Sequence, residues 1–169
     1  MARHDADAVD RILEQWAQVR PGFDMSPVGV VGRVSRLSRL IDKRLGQNFG
    51  EHGLQDWMYD VLATLRRSGA PYELTAGDLV AQTMVTTGAM TNRIDRLEAL
   101  GFVERRAGGD RRTVIVALTD AGRKKVDAVS TSHLATEREL LGALTDKQQA
   151  QLAALLRTVL LDLGDTPPA

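Results

Sequence analysis

Arg105–Thr119 reads RRAGGDRRTVIVALT: four arginines flank a glycine turn, and a β-branched run follows. The residues before the turn, from Phe102 to Arg106, are strand-like. Ala107-Gly108-Gly109-Asp110 supplies the turn, and Thr113–Leu118 returns as the second strand. The stretch therefore predicts a β-hairpin with a basic tip. A chain with 22 basic and 22 acidic residues has no general need for such a concentration of charge.

Upstream of the hairpin, Val85-Thr86-Thr87 opens a helix that carries Met90, Ile94, Leu97 and Leu100 at inward spacing, and Gly101 supplies its left-handed cap. A shorter helix precedes it, from Ala76 to about Gln82 behind an N-capping Thr75. Short helix, tight break, second helix and two-stranded hairpin, in that order, describe a winged helix-turn-helix. Further out the chain reads as helix. Val9, Ile12, Leu13, Trp16 and Val19 share one face. Ser26-Pro27 starts a helix with the stripe Val30, Val31, Val34, Leu37, Leu40, Ile41, Leu45 and Phe49. Leu54 to Ser68 follows, with Trp57, Val61, Leu62 and Leu65 inward. Beyond the hairpin, Thr119-Asp120 caps a long helix to about Leu141. Thr145 caps a last one, with Leu152, Leu155, Leu156, Val159, Leu160 and Leu163 inward. The fold class is mainly α with a small β-hairpin wing.

The length of 169 residues suits one compact domain with a proper core. Only 4% of residues are aromatic, so the core is aliphatic. The absence of cysteine excludes disulfides, thiolate metal sites and cysteine redox chemistry, and fits a cytoplasmic protein. The polar, acidic start argues against a signal peptide, and no apolar run has transmembrane length. His4, His52 and His133 lie in separate segments without ligand spacing, and no nucleophile elbow or phosphate loop is present, so neither an enzyme nor a metal or cofactor site is expected.

Net charge is zero, but its distribution is uneven. Arg93–Lys125 holds nine basic against five acidic residues. Such local excess, rather than the total, is what a nucleic-acid partner responds to. Thr86, Thr87, Gly88, Thr91 and Asn92 sit near the N-terminus of the second helix of the motif. Small side chains let that helix enter a major groove about 12 Å wide, and hydroxyl and amide groups bond to base edges or phosphates. The plainer account is a solvated polar face. The hairpin favours DNA, because Arg111 and Arg112 on a glycine turn suit the concentrated negative potential of a minor groove. Asp110 is better placed to fix the turn or orient an arginine than to touch DNA. Arg105 and Arg106 also fit a solvated strand edge that resists aggregation.

The run Thr91–Arg106, then Gly109-Asp110-Arg111-Arg112 and Leu118-Thr119-Asp120-Ala121-Gly122, resembles the MarR family of winged-helix regulators over nearly the whole chain. The resemblance implies an intertwined homodimer on a pseudopalindromic operator in double-stranded DNA, with Arg112 in the minor groove and Asp110 as its organiser. It implies an extra N-terminal helix packing on the dimer in residues 1–25, dimerisation helices in 26–53 and 120–165, and a DNA-binding winged helix-turn-helix in 54–119. A narrower likeness is to the urate-responsive branch, on Trp16, Asp60, Arg93 and Arg105. In that reading Trp16 gives a flat face to a planar ring, Arg93 and Arg105 pair with its oxygens, and Asp60 accepts a ligand N–H or holds an arginine. Trp16 also fits as a packing residue and Asp60 as a solvent residue beside Thr64 and Arg67. The implied function is a transcriptional regulator, a repressor released by a small anionic effector such as urate. A citrate-like polycarboxylate is the alternative effector. A winged-helix module without small-molecule control is the alternative function.

Overall fold

The computed structural model describes residues 5–83, 85–109 and 113–166. Asp110, Arg111 and Arg112 lie outside the described residues. The elements run α1 (Ala8–Val19), α2 (Ser26–Glu51), α3 (Asp56–Arg67), β1 (Glu73–Thr75), α4 (Ala76–Thr83), α5 (Thr87–Ala99), β2 (Val103–Ala107), β3 (Val114–Leu118), α6 (Asp120–Leu140) and α7 (Asp146–Asp162). Two compact units result, Met1–Arg44 and Leu45–Ala169.

In the first unit, Asp7 caps α1 through a reciprocal box with Asp10, and its carboxylate accepts from the Val9 and Asp10 amides at 2.7 and 3.0 Å. Arg33 of α2 then binds both carboxylates, at 2.8 Å to Asp7 and 2.6 Å to Asp10. Val9 packs on Gly32 and is buried. The expected cap at Ser26 is shifted. Ser26 is already helical, and the Asp24 carboxylate accepts its N–H at 2.9 Å.

In the second unit, α3 is the central helix. Val61, Leu62 and Leu65 are fully buried against Leu79 of α4, Met90, Ile94 and Leu97 of α5, Val103 and Val116 of the sheet, and Val126 and Val129 of α6. Phe49, Tyr59 and His133 stack beside this core with ring centroids 4.8–5.4 Å apart.

Three helices begin as their sequences predict. Thr86 accepts from Ala89 N–H at 3.3 Å, Thr119 from Gly122 at 3.0 Å and Thr145 from Gln148 at 3.4 Å. Helix α5 ends at Gly101, whose φ is +74°. The Gly101 amide donates to Glu98 O at 2.9 Å and the Phe102 amide to Leu97 O at 3.0 Å, which satisfies two end carbonyls.

The expected hairpin forms as β2 and β3, and a third strand that the sequence reading lacked joins it. The sheet has three antiparallel strands in the order β1-β3-β2. β3 pairs Val116 with both Leu74 and Arg105. Three residues of β1 are too few for alternation to register in the sequence.

The stripe of α7 departs from the inward expectation, and the apolar faces of α1 and α2 are open as well. Trp16 is 40% exposed, Val31 66%, Leu155 68% and Leu160 47%, and α7 buries no residue. Periodicity identifies an apolar face, not the surface that covers it.

Candidate nucleic-acid interface

The turn between α4 and α5 sets the N-terminus of α5 at the surface. Thr86, Thr87, Gly88, Thr91 and Asn92 are all exposed, while Met90, Ile94 and Leu97 anchor the opposite side of the helix. Two hydroxyls already have internal work: Thr86 caps the helix, and Thr91 donates to the Thr87 carbonyl at 3.0 Å. Each keeps an outward lone pair or proton for a partner. A Cβ added to Gly88 would meet nothing within 4 Å, so the outer face of the first turn is open. Free N–H groups at this end suit a phosphate.

The wing joins this helix through Arg105 of β2. Its amide donates to Glu98 Oε1 at 3.0 Å, and its guanidinium pairs with Glu98 and Asp95 of α5. Burial opposes the charge on Arg105, but the bonds to Asp95 and Glu98 outweigh it and raise the pKa. Arg106 is bound to Glu104 at 2.9 Å through Nε and to Glu73 of β1 at 3.1 Å. The bond to Glu104 is the main cause of its raised pKa. Both arginines expected near the turn's first strand are therefore matched by carboxylates. Gly108 closes the strands with a 2.9 Å bond to the Thr113 carbonyl.

The residues expected for an anionic effector are only partly gathered. Asp60 and Arg93 sit on the facing helices α3 and α5 and feel each other's charge. Burial raises the Asp60 carboxyl above its usual range. Arg67 and Arg93 oppose that shift, and Asp56 adds to it. Asp60 is half-buried rather than a solvent residue, and its neighbour Thr64 is fully buried. Arg105 is committed to Glu98 and Asp95. Trp16 belongs to the first unit.

The aromatic group beside Arg93 is Trp57, which the periodicity had assigned to the core. Its ring centroid is 5.7 Å from the Arg93 guanidinium carbon, and its Nε1–H donates to Gln55 Oε1. Trp57, Ala89, Asn92, Arg93 and Arg96 line a cleft of about 260 Å³. An inward-facing tryptophan at the end of a helical stripe was the available signal; its polar edge argued for a partly open position.

Among the described residues no group of three metal-ligating side chains occurs. His52 bonds to Ser132 Oγ at 2.7 Å, and His133 pairs with Glu137 at 3.3 Å. No helix among the described residues is long and apolar enough to cross a membrane.

A family model described as "MarR family" matches residues 52–113, from the start of α3 to the wing. The chain is 39% identical over 152 residues to the HTH-type transcriptional regulator PecS of Dickeya dadantii, covering 89% of this chain and 92% of PecS. Among solved structures, AbsC, a MarR family transcriptional regulator from Streptomyces coelicolor, matches with a TM-score of 0.77 at 21% identity, over 85% of this chain and 98% of AbsC. A single-residue variant of MarR from E. coli, solved in complex with operator DNA, matches with a TM-score of 0.70 at 25% identity, over 86% of this chain and 97% of that one. The helix-turn-helix, its wing and the near full-length likeness to PecS together place this chain in the MarR family of transcriptional regulators.

Proposed function

We propose that this protein is a homodimeric repressor that binds a pseudopalindromic operator and is released by a small anionic effector, as in the urate-responsive branch of its family. One observation carries the reading: the N-terminal half of α5 presents Thr86, Thr87, Gly88, Thr91 and Asn92 outward on a helix whose other side is locked in the core. Such a helix is rigid, slim and polar where it meets a major groove. The likeness to a MarR solved with operator DNA supports it. The wing contributes Arg111 and Arg112, with Arg112 in the minor groove and Asp110 organising it.

Two copies are required because each chain leaves large apolar faces on α1, α2 and α7 without cover. Pairing buries those faces and sets two recognition helices about one turn of duplex apart. Residues 1–25, 26–53 and 120–165 supply the dimer in this reading, and 54–119 the DNA-binding region.

Release requires an effector that binds the DNA-incompetent state more tightly. Arg93 supports this role, because a ligand that pulls on its guanidinium pulls on the helix that carries the DNA-facing residues. Asp60 faces Arg93 electrostatically, and Trp16 and Arg105 complete the set suggested by the resemblance. The test is a competition assay. A duplex selected by the protein from a random pool is bound at physiological salt, and urate and citrate are titrated separately. Selective binding, by roughly 10³-fold or more over random duplex, with release by urate is the expected result. Equal binding to all duplexes overturns the regulator reading. Selective binding that neither compound disturbs removes the effector.

A further inference from the structure

Glu98 is the next-to-last residue of α5, where the negative end of the helix dipole disfavours a carboxylate. Helix stability gives no reason for its place; the wing does. Its two oxygens take two donors from one residue of β2. Oε1 accepts from the Arg105 amide at 3.0 Å, and Oε2 pairs with the Arg105 guanidinium. The same guanidinium reaches Asp95 and, at 3.5 Å, the Thr91 carbonyl. Thr91, Asp95 and Glu98 follow one another at helical spacing, so Arg105 lies along one stripe of α5. A backbone donor cannot turn away from its strand, so the amide bond holds β2 itself. The guanidinium bonds, spread along that stripe, hold its tilt. Arg105 is also where the wing leaves the body of the protein. Val103 is buried, Glu104 and Arg105 are half-buried, and Arg106 and Ala107 are exposed. Opposite Arg105 in the sheet stands Val116, which is fully buried. Gly108 follows three residues later, about 10 Å along the strand, and over that arm a tilt of ~15° moves the turn by roughly 2.5 Å. Such a shift breaks any hydrogen bond the turn makes. The ion pairs of Arg106 with Glu73 and Glu104 lie within the sheet and do not supply this tie.

We propose that Glu98 is a positioning residue for DNA recognition: without touching DNA, it sets the angle between the wing and α5, so that the two enter their grooves together. The inference rests on the DNA-binding reading above and adds a residue to it. A carboxylate beside an arginine can instead serve only to neutralise it, and the two roles have opposite signs. Removing a neutraliser frees a guanidinium for phosphate, so binding tightens and its salt dependence steepens. Removing a positioning residue lets the wing tilt, so binding weakens. Its salt dependence then flattens, because Arg111 and Arg112 no longer arrive at the duplex together with α5.

The test uses the full chain and a duplex that it selects from a random pool. Glu98→Ala should weaken that duplex by about tenfold or more, and the slope of log affinity against log salt should become shallower by about two, one for each wing arginine. At saturating protein, minor-groove protection from hydroxyl radicals should be lost, while protection of guanine N7 from dimethyl sulfate in the major groove remains. The pair with Arg105 is partly exposed, so the thermal midpoint should move little. Glu98→Gln keeps an acceptor for the Arg105 amide and should fall between the parent and Glu98→Ala; it carries the test where alanine disturbs the fold. The losses from Glu98→Ala and Arg105→Ala should not add, since each removes the same tie. Tighter binding with a steeper slope makes Glu98 a neutraliser and overturns the proposal. Parent-like affinity and footprint in both Glu98 variants overturn it as well and leave the DNA-binding reading standing. A parent that binds every duplex alike overturns that reading, and the positioning role with it.

Discussion

Among the described glycines Gly122 has the least room for a side chain, and replacing it with alanine has a calculable outcome. It lies in the first turn of α6, against the Phe102 backbone between α5 and β2. A Cβ built there falls 1.9 Å from the Phe102 carbonyl oxygen and 2.8 Å from its carbon. Carbon–oxygen contacts normally begin near ~3.3 Å, so about 1.4 Å of backbone movement is needed. That movement strains the 3.1 Å bond from the Thr119 amide to Phe102 O and the 3.0 Å bond from the Gly122 amide to Thr119 Oγ1. Overpacking costs ~1–3 kcal/mol and each weakened bond about 1 kcal/mol, against a helix-propensity gain of at most ~1 kcal/mol. The net destabilisation is about 2–4 kcal/mol, or a fall in Tm of roughly 4–16 °C at this chain length. Gly88→Ala is the matched control, since its added methyl meets nothing within 4 Å. There the same chemical change should stabilise by ~0.4–1 kcal/mol while obstructing the proposed DNA-facing surface. Thermal and urea unfolding of parent and both variants, at one protein concentration because the proposed dimer would be linked to folding, reads the contrast. Gly122→Ala as stable as the parent would refute the packing account of the α5–wing–α6 junction.

Three further outcomes follow from the same geometry. Asp60→Asn should raise Tm at pH 7. The raised carboxyl pKa means that the folded state holds its proton longer, so burial penalises folding above that pKa, and the advantage of the variant should vanish as the pH falls below the unfolded value of 3.8. An advantage that persists at low pH would assign the gain to something other than charge. Arg112→Ala should weaken duplex binding and make the slope of log affinity against log salt shallower by about one. Arg106→Ala, whose charge Glu104 and Glu73 already match, should leave that slope unchanged. Leu160→Glu, on the uncovered face of α7, should shift the protein to monomer in sedimentation and abolish duplex binding at nanomolar concentration. A stable dimer would place the interface elsewhere.

Much of the backbone was legible because its signals are local. Thr86, Thr119 and Thr145 announce helix starts through bonds spanning three residues, and Gly101 ends α5 through its own dihedral angle. The partners of Arg105 and Arg106 were not legible. Glu98 lies seven residues from Arg105, and Glu73 lies 33 residues from Arg106 across the sheet, so only the assembled fold brings them together. The reading of Trp57 held in part. Its spacing with Val61 and Leu65 is that of a core residue, and it packs against the core while staying only partly buried. The exposed polar face of α5 was legible in full, because anchoring Met90, Ile94 and Leu97 inward leaves Thr87, Thr91 and Asn92 outward on any helix.

The four arginines of the wing stretch then divide into two pairs with different work. Arg105 and Arg106 precede the turn and are neutralised within the fold, Arg105 by the recognition helix and Arg106 by β1 and its own strand. Each ion pair is partly exposed and adds little stability alone. Their value is geometric: Arg105 ties the wing to α5, so the two proposed DNA probes hold one relative orientation. Counterion release depends on charge that is free to meet phosphate. In the proposed complex that charge falls to Arg111 and Arg112. A protein with no net charge can thus approach a polyanion through a local excess of guanidinium groups.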